Sequence, residues 1–417
     1  MPSERHRAPG AFVVSGTHVP YQTVWYVRDM VAPADPAAGI GAPFVDRLAE
    51  RAPEAERLRR LPAQTIAELA ESGFTDLLVP ARFGGRQARF PELLNPVREM
   101  AHGCVSSAWT IGFYALHNWL TALFDERAQA EAFATRPLLA PATLAPTGRG
   151  RPAPGGVRLT GRWSWATGVM DANWILVGAL CGPDDALYPA LALLPADRVS
   201  VHDVWHTDGM CATGSNDVGI DDVFVPEHRL VAVRDIYRGT APGAAAHDHP
   251  TYRWPMVPAL ALLAAMPALG AAERVTELYA DRLGRRVLAY QGVIQQDQPI
   301  ALAHLGAAQV RLRALHGLLD STVAAIEAAV TVGEPVRRPA RAQARLAAAH
   351  IVAESRAVIG ALLAASGASA HFLDNPLQRA KRDVDVLAGH VIFDYDTSRE
   401  LAGALSVGAA VPSTAMI

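Results

Sequence analysis

The sequence predicts an α+β protein in which a β-rich middle separates two helical halves. Three observations carry that prediction. Apolar residues recur at helical spacing from 42 to 134. Four short alternating segments at 156–160, 174–180, 190–195 and 218–225 are bounded by Gly, Pro, Asp and Asn, as strands are. Ala-rich helical blocks then resume beyond Pro250. A β insert between two blocks of helix is an unusual order.

Residues 1–40 are rich in Pro, Gly and Ala and read as an N-terminal arm, within which TVWYVRD (23–29) has no assignable role. Residues 41–140 read as an N-terminal helical domain. Leu58, Ile66, Leu69 and Leu77, then Leu93, Val97 and Met100, fall at helical spacing, and ARFGG (81–85) breaks the run as a loop. The longest helix of this half begins near Ser106 and carries Trp109, Ile111, Phe113, Leu116, Leu120 and Leu123. Residues 137–155 are dominated by Pro and Gly and read as a loop before the first clear strand. The β segments occupy a central domain at 141–235. Helical blocks at 259–290, 300–332, 339–365 and 378–405 then read as an up-and-down four-helix bundle filling 250–417.

Composition excludes several classes. The chain has 417 residues, 50% hydrophobic and 19% charged, enough for two or three packed layers. A net charge of −3 leaves no footprint for nucleic acid or an anionic membrane, so neither is an expected partner. Lys381 is the only lysine, so basic function falls on arginine. Cys104, Cys181 and Cys211 show neither CxxC nor Cys/His ligand spacing, and no metal or disulfide framework is expected. There is no signal-type apolar start and no uninterrupted span of ~20 apolar residues, which points to the cytoplasm. The absence of GxGxxG and P-loop patterns means no nicotinamide site of the chain's own is expected.

Two segments, GRWSWATGVMDAN (161–173) and TGSNDVGIDDVFVPEHR (213–229), resemble the acyl-CoA dehydrogenase superfamily. The resemblance implies an N-terminal helical domain, a central β-barrel and a C-terminal four-helix bundle, with a flavin held between barrel and helices and homotetramers built through the bundle. Trp163, Trp165 and Thr167 alternate, which on a strand would point them to one face. By resemblance Thr167 contacts the flavin N5–O4 edge and Trp165 packs beside the ring, while Thr143 sits in a loop (143–148) that approaches the flavin. ASGASAHFLDNPLQRAKRD (365–383) is a second match. It implies that Gly367 and Ala368 let backbone approach the cofactor and that Arg379 or Arg382 holds phosphate or forms an inter-helix ion pair. One arginine of Arg282, Arg285 and Arg286 is placed on the flavin phosphates, Arg282 being the first choice.

Dehydrogenation of an acyl thioester needs a carboxylate to remove the α-proton. The family's usual glutamate, nine residues after the arginine of the RD pair, is Val391 here, and 249–272 contains no Asp or Glu where the other base stands. Instead His390, with HGCVSSAWTIGFYALHNWL (102–120), resembles the two-component flavin-dependent monooxygenases of the aromatic-hydroxylase branch. That resemblance implies reduced FMN or FAD delivered by a separate NAD(P)H:flavin reductase, O2 as co-substrate, a C4a-hydroperoxide, and an aromatic or polyketide-like substrate. His390 would serve the oxygen and His117 the substrate, with Trp109 beside it, whereas His102, His304 and His316 receive no role. Asp385 and Thr167 depart from the branch's histidine and serine. The composition and the unplaced arm fit a tailoring enzyme of antibiotic biosynthesis. Rival readings are N-oxygenation of an amine or amino sugar, a dehydrogenase with a relocated base, and a flavin-free binding relative.

Overall fold

The computed structural model of the protein describes residues 40–288, 292–412 and 415–417. The expected arm at 1–40 lies outside the described residues except for Ile40. The N-terminal half consists of α1 (Ala42–Leu58), α2 (Ala63–Ser72), α3 (Leu94–Gly103), α4 (Val105–Thr121) and α5 (Glu126–Phe133). Every residue of α4 except Phe113 is buried. A helix enclosed on all sides must satisfy its polar side chains internally. The Thr110 hydroxyl donates to the Ser106 carbonyl (2.9 Å) and the Asn118 amide nitrogen to the Thr75 carbonyl (2.8 Å), while Asn118 Oδ1 is buried without a partner.

The middle is a seven-stranded sheet of β1 (Ala142–Ala153), β2 (Gly156–Ala166), β3 (Trp174–Cys181), β4 (Tyr188–Pro195), β5 (Ser200–His202), β6 (Asn216–Pro226) and β7 (Leu230–Ala232). Its order is β5-β6-β2-β1-β3-β4-β7, with β1 and β3 parallel and the other neighbours antiparallel. It wraps a core of its own that includes Leu159, Trp163, Ile175, Val177, Leu194 and Val218. The Trp163 indole N–H donates to the Gly178 carbonyl at 2.6 Å. A Cβ at Gly148 would overlap the Trp163 ring, so strand β1 can cross it only with glycine there.

Two corrections concern this region. The segment read as loop at 137–155 contains β1, which is twelve residues long. Pro146 is tolerated because pairing with β3 is broken between Thr143 and Gly148, and Pro152 lies beyond Gly150, where pairing with β3 ends. Trp163, Trp165 and Thr167 do not share a face. Between Trp163 and Ala166, β2 carries one residue more than β6, a bulge in which Trp165 adopts φ 68°. Alternation resets there. Trp163 and Ala166 go inward at 1% and 0% exposure, and Trp165 is turned out at 67%.

After α6 (Val233–Arg238) and α7 (Pro242–His247) comes the bundle. It comprises α8 (Met256–Leu283), a hairpin of β8 (Val287–Leu288) and β9 (Val293–Ile294), α9 (Pro299–Thr331), α10 (Arg338–Ser366), α11 (Pro376–Leu387) and α12 (Tyr395–Ser406). The fourth helix expected at 378–405 is broken into α11 and α12. Asp394 accepts a hydrogen bond from the Thr397 backbone N–H and so starts a new helix, leaving His390 in the break. Helix α8 is long and apolar enough to cross a membrane, yet 94% of its apolar window is buried inside the protein, which accounts for its composition.

A buried polar knot joins α3 to the bundle. Arg98 Nη1 donates to both oxygens of Glu273 (2.8 and 2.7 Å), His102 Nε2 lies 2.8 Å from Glu273 Oε2, and His316 Nε2 lies 2.7 Å from Oε1. Burial works against the Glu273 charge, but these contacts overcome it and hold the carboxyl well below its usual range. His102 and His316 are therefore structural.

Candidate active site

Helix α4, the turn after β2 and the break between α11 and α12 meet at one place. Trp109, Phe113 and His117 recur every four residues and stack along one face of α4. Their ring centroids are 4.7 Å apart from Trp109 to Phe113 and 5.2 Å from Phe113 to His117. The Trp109 ring lies 5.8 Å from the His390 ring on its other side, and its indole N–H donates to Thr167 Oγ1 at 3.3 Å. The structure thus brings together His390, Trp109, His117 and Thr167, along with Phe113, which the sequence reading used only as a core residue. The i, i+4, i+8 spacing of 109, 113 and 117 was the available signal.

The two histidines are fixed in opposite tautomers. His117 Nδ1 lies 2.8 Å from the Ala140 carbonyl, which can only accept, so Nδ1 carries the proton and Nε2 holds a bare lone pair. His390 Nδ1 accepts from the Ile392 backbone N–H at 3.2 Å, so its proton is on Nε2. Burial lowers the pKa of His117 to about 4, partly opposed by the Ala140 contact. The His390 ring keeps an accessible side, but crowding around it, with Trp109 and Phe393 as ring neighbours, likewise lowers its pKa to about 4. Both are neutral at pH 7. One offers an acceptor, the other a donor.

The turn carrying Thr167 is clamped from both sides. The Gly168 N–H donates to the Thr213 carbonyl at 2.8 Å, and the Tyr114 hydroxyl donates to the Gly168 carbonyl. Gly168 has φ 76°, and a Cβ there would overlap the Tyr114 hydroxyl, so only glycine serves. Beyond it, a buried carboxylate ties the barrel to the bundle. Asp383 of α11 accepts the Met210 backbone N–H at 2.6 Å, and burial, partly offset by that bond, raises its pKa to about 6.

The other expected cofactor residues fall in separate places. Thr143 is buried with a hydroxyl that has no protein partner. Arg282 Nη2 donates to the Ser366 carbonyl (3.0 Å) and Ser369 Oγ (2.6 Å), while its buried Nε has no partner. Gly367 (φ 73°) and Ala368 form the turn beside it. Arg282, Arg285 and Arg286 line a recess of about 390 Å³ together with Leu278 and Asp281. Arg379 is engaged elsewhere. It pairs with Glu56 of α1 at 3.0 Å, as Arg382 does at 2.5 Å, so the inter-helix ion pair is its observed role.

These features fit a flavin. An outward Trp165, an acceptor at Thr167 and the unsatisfied Thr143 hydroxyl suit a flat ring system with a polar edge, and the arginine recess suits phosphate. Residues in sparsely populated backbone regions cluster at binding sites. Trp165→Ala is expected to leave the melting temperature nearly unchanged, because the ring is exposed, while weakening flavin binding several-fold in a fluorescence titration. Among the described residues there is no group of three or more His, Cys, Asp or Glu that could hold a metal ion.

Comparison with known proteins places the chain among flavin-dependent hydroxylases. Residues 42–134 match the acyl-CoA dehydrogenase N-terminal domain, and residues 262–395 the acyl-CoA dehydrogenase C-terminal domain. A pigment production hydroxylase of Rhodococcus sp. is 33% identical, with 86% of this chain and 93% of the relative covered. The oxygenase component of an FADH2-dependent resorcinol hydroxylase from Rhizobium sp. is 30% identical, with 88% and 93% covered. The crystal structure of the HsaA monooxygenase from M. tuberculosis superposes with a TM-score of 0.85 at 29% identity, covering 92% of this chain and all of that one.

Proposed function

The chain belongs to the acyl-CoA dehydrogenase family, within its flavin-dependent monooxygenase oxygenase components, and on that premise we propose a division of labour between His117 and His390. The protein is the oxygenase component of a two-component aromatic hydroxylase, using flavin reduced by a separate reductase. Reduced flavin supplies the activation of O2, one oxygen atom going to the substrate and the other leaving as water. The observation that carries the division is the pair of opposite tautomers at the two ends of the aromatic ladder.

Thr167 and Trp165 would hold the flavin ring, and His390, with its proton on Nε2, would donate a hydrogen bond to oxygen activated there. His117 accepts a hydrogen bond from a substrate hydroxyl at Nε2. Because the pKa of His117 lies near 4, it polarises a phenolic O–H as the ring carbon attacks, rather than forming a phenolate in advance. Phe113 and Trp109 offer flat apolar faces to an aromatic ring, which favours an aromatic or polyketide-like substrate over an amino sugar. No carboxylate belongs to the ladder, and position 391 is an exposed valine, so the dehydrogenase reading is not favoured. Large exposed apolar side chains on α9 (Ile300, Leu302, Val310) and after α10 (Phe372, Leu373) support self-association through the bundle, as a homotetramer.

The test is turnover of a panel of phenols and aromatic polyketides with O2, NADH and a flavin reductase. Hydroxylated product is expected only when flavin is reduced in the mixture. Reduction of bound oxidised flavin by an acyl thioester, with no phenol turned over, would sink the reading.

A further inference from the structure

Behind Thr167 the hydroxyl groups form a chain with an obligate donor at one end and a carbonyl acceptor at the other. Thr167 Oγ1 lies 2.9 Å from Ser215 Oγ, and Ser215 Oγ lies 2.7 Å from Thr213 Oγ1. Thr213 Oγ1 in turn donates to the Met210 carbonyl at 2.9 Å. The Met210 carbonyl also accepts the Trp205 indole N–H at 3.0 Å and the Thr213 backbone N–H at 3.1 Å, but two oxygens 2.9 Å apart with no proton between them repel, so the Thr213 hydroxyl proton is drawn to Met210. The Ser215 proton must then serve Thr213, and the Thr167 proton must serve Ser215. At the other end, the Trp109 indole N–H can only donate, and it points at Thr167. In this direction every link, from the indole N–H at one end to the carbonyl at the other, has one donor and one acceptor. The anchor is rigid, since Met210 is buried and its own N–H is held by Asp383. Thr213 and Ser215 are buried at 1% and 4% exposure, away from solvent that could rearrange the chain.

Thr167 therefore presents a lone pair and no proton to whatever lies against its remaining side. We infer that Ser215 and Thr213 are positioning residues that hold Thr167 as an obligate acceptor, so that the site selects reduced over oxidised flavin. Reduced flavin carries hydrogen on N5 and can donate to Thr167. Oxidised flavin has a bare N5, which would face the Thr167 lone pair without a proton between them. Such a device suits a protein that captures reduced flavin from solution and must release the oxidised form. The inference rests on the placement of Thr167 at N5 proposed above.

The experiment compares dissociation constants of FMN and FAD in oxidised and anaerobically photoreduced forms. Ultrafiltration of the full chain separates unbound flavin, which is quantified after reoxidation. In Ser215→Ala the Thr167 proton becomes free to turn to N5. In Thr213→Val, which preserves shape, Ser215 becomes free to turn. Both are expected to lower the ratio of oxidised to reduced dissociation constants about tenfold, chiefly through tighter oxidised binding. The same tenfold change lowers the two-electron potential of the bound flavin by about 30 mV. A packing defect would weaken both forms together and leave the ratio alone; that result overturns the inference. Thr167→Val separates the two levels of argument. If it shifts the ratio while Ser215→Ala and Thr213→Val do not, the one-way chain is wrong and Thr167 still meets N5. If none of the three shifts it, Thr167 does not meet N5 and both readings fall.

Discussion

His390→Ala is expected to leave flavin oxidation running while cutting hydroxylated product about a hundredfold, with the missing oxygen recovered as H2O2. Proton donors positioned at a reacting group typically contribute 10²–10⁴-fold, and the lower end applies where water can partly replace the lost group. The His390 ring has an accessible side, so water can enter the space left by alanine. Water there would supply protons without holding the oxygen in place. The measurement is product against H2O2 per flavin oxidised, in a single turnover with excess substrate. His390→Asn refines the test, because its side-chain amide can still donate. It should recover part of the coupling if the donor matters. Unchanged coupling in the alanine variant would make His390 a cap of the turn at 391–393, which its Nδ1 already serves.

The same residue shows what could be read from the sequence and what could not. His390 was legible as a candidate, because the position of the family's usual base is Val391 and a histidine stands beside it. Its tautomer was not legible, since that depends on a hydrogen bond from Ile392, which exists only because α11 stops and a new helix begins at Asp394. Long helical periodicity across 378–405 concealed the break; Gly389 and the Asp394 cap were its signals. The barrel gave the opposite lesson. Strands with strict alternation were visible, but β1 was hidden by Pro and Gly residues that the gap in its pairing and the Trp163 ring require. At Trp165 the alternation rule failed because one inserted residue reverses every later side chain. Ser215 and Thr213 were visible only as part of a family segment, since their roles arise from side chains meeting across the end of β2 and the turn before β6. Contacts between distant segments leave no periodic trace.

His117→Ala should lower product formation about a hundredfold, with the oxygen-handling steps before substrate attack nearly unchanged. The asymmetry follows from place. His117 is buried at 3% exposure and reaches the site through Phe113, one ring further along the ladder than Trp109, which is the ring beside His390 and Thr167. Loss of its acceptor leaves a substrate hydroxyl without a partner, and general-base assistance is worth 10²–10⁴-fold. Equal loss of both steps would place His117 in oxygen handling or in packing. The pH profile gives an independent reading. His117 must be neutral to accept, and burial lowers its pKa to about 4, so the hydroxylation step should hold from pH 7 down to about pH 5 and fall as pH approaches 4. An ordinary histidine would lose activity near 6.5. Stability should follow the same sign. Below about pH 6.5 the unfolded chain binds protons that His117 and His390 refuse in the folded state. Their contribution is therefore complete above pH 6.5 and is lost as pH falls toward 4. Replacing both histidines with glutamine should flatten that part of the stability curve, because glutamine does not titrate. Single-turnover product yield and thermal melts over the same pH range would then separate failure of the site from failure of the fold.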